Sequence, residues 1–341
     1  MRTALLGATG LVGRTMLALL ETRDWVDEPP LLLTSARSAG TTLTFRGRAV
    51  VCADAASADL AGVEMALFSA GGAASRTYAP RFAQAGSWVI DNSSAWRMDP
   101  DVPLVVPEIN PAALPQRPGI IANPNCSTIQ VAAAVAPLQR AFGLKACHVT
   151  TLQSASGAGG RARQALAVEL QACLPGLREG HASPDRTGTG AFPRRLALNV
   201  LPEIGAALPD GGFDEEAKVV RELRKILGLP QLAVTCTATR VPVWTGHAAA
   251  VRCVCGRSAP RDEAVAALRA APGLVVAESP HGYATPLEAD GADPVFVGRV
   301  RGEEGRPEVV LLWVVADNVR KGAALNAVQI ADLLAARSRS V

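Results

Sequence analysis

Short apolar runs punctuated by glycine fill the first third of the chain, and longer apolar runs fill much of the rest. Thr3 to Leu6 predicts a strand and Gly7-Ala8-Thr9-Gly10-Leu11-Val12-Gly13 a glycine turn. A helix follows to about Glu21, with Leu11, Thr15, Ala18 and Leu19 on one face. Leu31–Leu33, Val63–Phe68, Trp88–Ile90 and Ile120–Ala122 read as further short buried strands. Pro100 to Pro118 is rich in proline and reads as a loop that wraps rather than packs. Ile129 to Phe142 predicts a helix. Gln130, Ala132 to Ala134, Val135 and Leu138 suit it, Pro124 precedes it, Ser127 and Thr128 fit its first turn, and Gly143 stops it.

Beyond that helix the strands lengthen: Lys145–Gln153, Leu232–Thr239, Ala248–Cys255, Val295–Val300 and Glu308–Val315. Between the first two lie a helix from about Arg161 to Cys173, a loop rich in Gly, Pro and Ser from Pro175 to Pro193, and a helix from Asp214 to Leu227. The last of these has Asp214 as its N-cap, acids in its first turn, Arg224 and Lys225 in its last, and Gly228 after it. The chain closes with an amphipathic helix, Gly322 to Ala336. The pattern predicts an α/β protein: a Rossmann-like dinucleotide-binding domain, then an α+β domain on a larger, mixed sheet.

Composition narrows the function. A length of 341 residues suffices for two cores, and 49% hydrophobic against 19% charged residues describes a globular protein. A net charge of +3 with 4% aromatics offers no basic stripe, which argues against nucleic-acid binding. The longest apolar run, Val309 to Ala316, is far below the roughly 20 residues of a membrane span. The chain enters its first strand without a basic-then-apolar leader, so a cytoplasmic location is expected. Seven scattered cysteines, with no histidine at zinc spacing, predict buried free thiols and no metal site.

Three stretches carry chemistry. Strand, glycine turn and helix form a phosphate cradle: Gly7 and Gly10 let the backbone approach a pyrophosphate, which would rest on the N-terminus beginning at Leu11 and Val12. The spacing is GxxGxxG, and a plain tight turn would look the same. After the second strand stands Thr34-Ser35-Ala36-Arg37-Ser38, where a NAD site would carry an acid. A cation with hydroxyls suits a 2′-phosphate, so NADP is expected over NAD. Ser69-Ala70-Gly71-Gly72 ends another strand and should face the same crevice.

The second stretch is Asn123-Pro124-Asn125-Cys126-Ser127-Thr128. At a helix N-terminus Cys126 meets unpaired backbone N–H groups and the positive end of the dipole. A thiol in such a place, with a cation nearby, can titrate at about 3.5–7.5 instead of about 8.5. An ordinary core cysteine is the alternative. The third stretch, Arg240-Val241-Pro242-Val243-Trp244-Thr245-Gly246-His247, adds an imidazole able to act as acid and base. Together they suggest thiolate attack on an aldehyde, hydride loss to the nicotinamide and cleavage of an acyl-thioester by phosphate.

The chain resembles the aspartate-semialdehyde dehydrogenase family from end to end. The likeness is carried by the glycine turn, Ser69 to Gly72, Asp91-Asn92-Ser93-Ser94, Val106-Pro107-Glu108-Ile109-Asn110 and Asn123 to Thr128. It continues in Gln153-Ser154-Ala155-Ser156-Gly157-Ala158-Gly159, Arg240 to His247, and Asp317-Asn318 with Lys321-Gly322-Ala323-Ala324. The resemblance implies that Cys126 is the nucleophile, His247 the acid/base and Gln153 the residue orienting substrate beside the thiol. It implies that Arg240 holds the substrate α-carboxylate, Arg97 and Lys218 hold phosphate, and Glu215 lies near the substrate amine. It gives nucleotide contacts to Gly7, Thr9, Gly10, Leu11, Val12, Ser35, Arg37, Ser38, Ser69, Gly71, Ser156, Gly157 and Asn318. It also implies a nucleotide domain of residues 1–126 and 321–341, and a catalytic and dimerisation domain of 127–320. The partners it implies are a small-molecule substrate and inorganic phosphate, in a homodimer with a homotetramer as the alternative.

Ala248 stands where relatives often have Ser, and Trp244 is bulkier than expected there; both concern the shape of the pocket. Two rival readings remain. The same fold could serve another acyl group, such as N-acetylglutamyl phosphate, but an acetylated amine has no charge for Glu215 to meet. A non-catalytic relative would have no need of Cys126, Gln153, Arg240 and His247 together.

Overall fold

The computed structural model describes residues 1–181 and 188–339; residues 182–187, inside the expected loop Pro175 to Pro193, and residues 340–341 lie outside the description. In chain order the strands are β1 (Thr3–Leu6), β2 (Leu31–Thr34), β3 (Thr42–Phe45), β4 (Arg48–Val51), β5 (Ala53–Asp54), β6 (Met65–Phe68), β7 (Trp88–Asp91) and β8 (Ile120–Ala122). They continue with β9 (Leu144–Gln153), β10 (Ala233–Arg240), β11 (His247–Cys255), β12 (Leu274–Val276), β13 (Val295–Glu303) and β14 (Arg306–Ala316). The helices are α1 (Leu11–Leu20), α2 (Gly72–Gln84), α3 (Cys126–Phe142), α4 (Gly160–Arg178), α5 (Asp214–Leu227), α6 (Arg261–Arg269), α7 (Pro286–Ala289) and α8 (Leu325–Arg339). Two compact units result. The first comprises Met1–Ile129, Glu222–Leu229 and the segment from Val319 on; the second comprises the described residues of Gln130–Arg221 and Pro230–Asn318.

The first unit is an open sheet in the order β5-β2-β1-β6-β7-β8, parallel at every pairing. Alternation along β1 shows how it is wrapped. Leu5 joins Met16, Leu20, Val328 and Ile330 on one face, while Ala4 and Leu6 join Phe68, Ala79 and Phe82 on the other. Strand order reverses at β1 and β6, the switch point where open α/β sheets bind ligands beyond their strand C-termini.

Several expectations need correction here. In α1 the buried face is Gly13, Met16, Leu17, Leu19 and Leu20, and Ala18 is exposed, because the helix turns its Met16–Leu20 ridge to the sheet. The stretch Pro100 to Pro118 does pack: Val102, Leu104, Val105, Val106 and Leu114 are buried. Asn110 makes this possible, taking the Val106 N–H and donating to the Leu104 carbonyl, so the turn satisfies its own backbone. The hairpin β3–β4 and helix α2 carry no clear period. In α2 only Ser75, Ala79 and Phe82 are buried, and Pro80 sits inside it.

The second unit holds a mixed six-stranded sheet, β10-β9-β11-β14-β13-β12, in which β9–β10 and β12–β13 are parallel and the other pairs antiparallel. Helix α4 runs to Arg178, five residues past its expected end at Cys173, so the expected loop does not start at Pro175. A proline forfeits one helical hydrogen bond, but its fixed φ suits the helix. Asp214 is the first residue of α5 and not its N-cap; the Phe213 N–H before it is taken by Glu216 Oε2. Among the described residues no helix is long and apolar enough to cross a membrane.

Candidate active site

In the first unit the glycine turn follows β1. Gly7 has φ +87° and donates to the Leu33 carbonyl at 2.8 Å, and a Cβ there would collide with the Ser69 carbonyl after β6. A Cβ on Gly13 would strike the Gly7 carbonyl. Turn and helix are therefore pressed together in the way only glycine permits. The N-terminus of α1 at Gly10 and that of α2 at Gly71 (φ +82°) carry no side-chain cap. Thr9, Leu11 and Val12 are half-buried beside them. Bare helix N-termini beside a glycine cradle fit a dinucleotide pyrophosphate. After β2, Ser35 and Arg37 are exposed and Ser38 half-buried, and Arg37 makes no ion pair or hydrogen bond with another described residue.

Cys126 is the first residue of α3 and is half-buried. The N–H groups that follow it are not all unpaired, as the sequence suggested. Asn125 Oδ1 accepts from Ser127 N–H at 3.0 Å and Thr128 N–H at 3.2 Å, an N-cap that starts the helix three residues before Ile129. Behind it Glu222, 1% exposed, accepts the Asn125 N–H at 2.6 Å through Oε2. Its Oε1 takes Arg97 Nη1 at 3.0 Å. Arg97 also donates from Nε to the Asn123 carbonyl and from Nη2 to the Asn92 carbonyl. The cation expected to meet phosphate is thus already paired with a buried carboxylate. Lys225 closes this side, its ammonium capping the carbonyls of Arg97, Asp99 and Val102.

In the second unit, sheet direction gathers the remaining candidates. Gln153 and Arg240 are register partners at the C-terminal ends of parallel β9 and β10. His247 opens β11, which runs the opposite way and pairs with Ala316 at the end of β14, two residues before Asn318. All four therefore lie at one end of the sheet. Gln153 Nε2 donates to Glu215 Oε1 at 3.1 Å, at the start of α5. Lys218 bridges Asp214 at 2.6 Å and Glu215 at 3.7 Å. Arg240 Nη1 donates to the Ser154 carbonyl at 2.9 Å.

His247 is fully buried. Its Nδ1 accepts the Ser154 backbone N–H at 3.1 Å and lies 3.1 Å from Ser154 Oγ. A backbone N–H can only donate, so the neutral ring carries its proton on Nε2. Nε2 has no hydrogen-bond partner among the described residues. Burial, and then the nearby Arg240 charge, hold this imidazole well below the usual histidine range. Asn318 Oδ1 braces the group by accepting from Ser156 Oγ at 2.9 Å, Gly246 N–H at 3.0 Å and Ser154 Oγ at 3.2 Å. A Cβ on Gly157 would come within 2.7 Å of Arg240 Nη1 and 2.8 Å of His247 Nε2, so a side chain there would fill the space beside the imidazole.

Sequence reasoning passed over Ser154, Asn125 and Glu222. Ser154 and Asn125 stood inside the quoted motifs, and for Asn125 the available signal was its residue type, a preferred N-cap placed just before Cys126. For Glu222, on an ordinary-looking amphipathic helix, there was none. None of the seven cysteines, all among the described residues, forms a disulfide. No group of three or more metal-ligating side chains occurs among the described residues.

Comparison with known proteins is consistent along the chain. A family model described as semialdehyde dehydrogenase, NAD binding domain, matches residues 2–117, and one described as semialdehyde dehydrogenase, dimerisation domain, matches residues 135–321. The chain is 44% identical to the aspartate-semialdehyde dehydrogenase of Aquifex aeolicus, over 98% of this chain and 97% of the relative. It is 42% identical to that of Bacillus subtilis over the same shares. Among solved structures, aspartate semialdehyde dehydrogenase II of Vibrio cholerae complexed with ASA superposes with a TM-score of 0.90 at 42% identity, over 98% of this chain and 97% of the other.

Proposed function

The chain belongs to the aspartate-semialdehyde dehydrogenase family, and from that premise we propose that it interconverts L-aspartyl 4-phosphate with L-aspartate 4-semialdehyde and inorganic phosphate, using NADP. It is an oxidoreductase with a dinucleotide-binding domain. The observation that carries the proposal is the group at one end of the second unit's sheet: a neutral imidazole whose N–H has no partner among the described residues, beside Arg240 and Gln153.

In the oxidative direction the sulfur of Cys126 adds to the aldehyde carbon, and the carbonyl oxygen takes the electron pair. His247 Nε2–H donates a hydrogen bond to that oxygen, where charge develops. To accept a proton as well, His247 must release the Ser154 amide from Nδ1; at rest it is a donor. Cys126 then holds the acyl group as a thioester until phosphate cleaves it and the thiolate returns. Bound NADP would supply the hydride acceptor, so that the carbon attached to Cys126 passes from the aldehyde to the acyl level before phosphate cleaves the thioester. Gln153 orients the substrate, and Arg240 grips its α-carboxylate with the bidentate geometry of a guanidinium. Glu215 meets its ammonium group, and Lys218 and Arg97 hold phosphate, Arg97 through N–H donors while its charge is balanced by Glu222.

Gly7, Thr9, Gly10, Leu11, Val12, Ser69 and Gly71 cradle the pyrophosphate, and Ser156, Gly157 and Asn318 complete the nucleotide contacts. Arg37, with Ser35 and Ser38, takes the 2′-phosphate; its exposure and lack of a partner among the described residues support NADP over NAD. In the cell the reaction runs toward the aldehyde in the cytoplasm and feeds lysine, threonine and methionine synthesis, with the protein as a homodimer.

The test is NADPH formation from the semialdehyde and phosphate. Cys126→Ala should lose about 10⁴-fold or more in turnover. Equal activity in both proteins would end the covalent mechanism, and preference for the N-acetylglutamyl substrate would redirect the assignment.

A further inference from the structure

Lys321 is the only lysine among the largest fully buried side chains of the described residues, at 1% exposure. The reaction as proposed gives it nothing to do. It stands in a π-helical turn, Arg320–Ala324, just before α8, closed by Ala324 N–H on the Val319 carbonyl at 3.0 Å. Its ammonium reaches both oxygens of Glu108 at 2.8 Å, Gln329 Oε1 at 2.7 Å and Asn326 Oδ1 at 3.1 Å. Asn326 Nδ2 donates in turn to Asn123 Oδ1 at 2.7 Å, and Asn123 Nδ2 to the Ala323 carbonyl at 3.3 Å. The network therefore ties the π-helical turn to the segment that delivers Cys126.

Gly322 is the point of contact. A Cβ built there would lie 3.0 Å from Cys126 Cβ and 3.3 Å from its Cα. The glycine backbone thus bears directly on the cysteine. π-helical turns are rare distortions that concentrate at functional sites, and a charge buried in one needs partners that fix its place.

We propose that Glu108, Lys321 and Gly322 are positioning residues for Cys126: the ion pair holds the π-helical turn so that the backbone at Gly322 sets the direction of the cysteine sulfur. This rests on Cys126 being the nucleophile, as proposed above. The pair does not act by its charge, because Glu108 and Lys321 neutralise each other. It acts by where it holds the chain.

The experiment compares Gly322→Ala with wild type and with Cys126→Ala in full-length enzyme. Turnover should fall about 10- to 100-fold, as for a reacting group displaced by a fraction of an ångström to an ångström, with KM within about twofold. The pH midpoint for alkylation of Cys126 by iodoacetamide and the thermal midpoint should both stay at the wild-type values, since the sulfur is misdirected and not re-ionised. Unchanged turnover overturns the proposal, and so does a shifted alkylation midpoint, which would mean an electrostatic role. Should Gly322→Ala loosen the fold, read as alkylation of the buried thiols, the charge-neutral pair Glu108→Gln/Lys321→Gln is put to the same measurements. Loss of the fold in both overturns it as well, because the network would then be merely structural. If Cys126→Ala is itself active, the reading of the nucleophile has failed, whatever Gly322→Ala does.

Discussion

The surroundings of Cys126 and those of His247 solve different electrostatic problems. Next to Cys126 the first unit buries whole charges in matched pairs, Arg97 with Glu222 and Lys321 with Glu108. Around His247 the second unit arranges dipoles: the Ser154 amide and hydroxyl, the Ser156 hydroxyl and the Asn318 carbonyl, with Arg240 as the nearby cation. A sulfur at a helix N-terminus already has the dipole in its favour, so paired charges behind it can serve as rigid braces without adding net charge. An imidazole that must stay neutral in a dry site is better served by dipoles, because a buried carboxylate at Nδ1 would favour the cation.

The contrast can be broken most severely at Glu222. Glu222→Ala leaves Arg97 buried without its counter-charge and should cost about 3–5 kcal/mol of stability in urea unfolding. Arg97→Met/Glu222→Leu should recover most of that loss, which separates stability from any role of Arg97 toward phosphate. Next comes Asn318→Ala, which removes the acceptor shared by Ser154, Ser156 and Gly246 and should lower kcat about 10- to 100-fold. Asn318→Asp keeps the acceptor but brings a negative charge toward the imidazole. It should move the acidic limb of the rate profile to higher pH, whereas a merely structural Asn318 would leave that limb in place.

A smaller effect follows from the depressed pKa of His247. The native ring stays neutral, while the unfolded one takes a proton near pH 6.5. Unfolding then binds a proton, so the stability is fully present above about pH 6.5 and falls as pH drops toward the folded pKa. The slope for one proton is about 1.4 kcal/mol per pH unit, and His247→Gln should remove it from stability measured across that acid range. The smallest effect concerns another cysteine. Burial, and then Glu216 and Glu215, push the Cys236 thiol up to about 12. Iodoacetamide near neutral pH should leave Cys236 unmodified in the native protein while Cys126 is alkylated, as read by peptide mass spectrometry.

Regular elements were legible wherever the period was clean. β9, β10, β11 and β14 fall within two residues of their expected bounds, and the glycine turn stands between β1 and α1 as its spacing required. Helix α2 was not legible, because its small and polar residues bury one narrow strip around Pro80. The stretch Pro100 to Pro118 misled for the opposite reason: prolines masked buried valines that no helix or strand period organises. Gln153 and Arg240 were singled out by the family resemblance and His247 as an imidazole; that they lie at one end of the sheet follows from the strand directions and register.

The sequence alone determined the strands and helices whose period is clean, the glycine turn, a helix N-terminus near Cys126 and the family to which they belong, since periodicity and turn chemistry act within a few residues. Only the tertiary structure decided the partners of the buried polar groups. Lys321 finds Glu108 across 213 positions, Arg97 finds Glu222 across 125, and Ser154 finds His247 across 93. A charge or dipole withdrawn from water must be matched by whatever group folding brings beside it, and distance along the chain sets no limit on that choice.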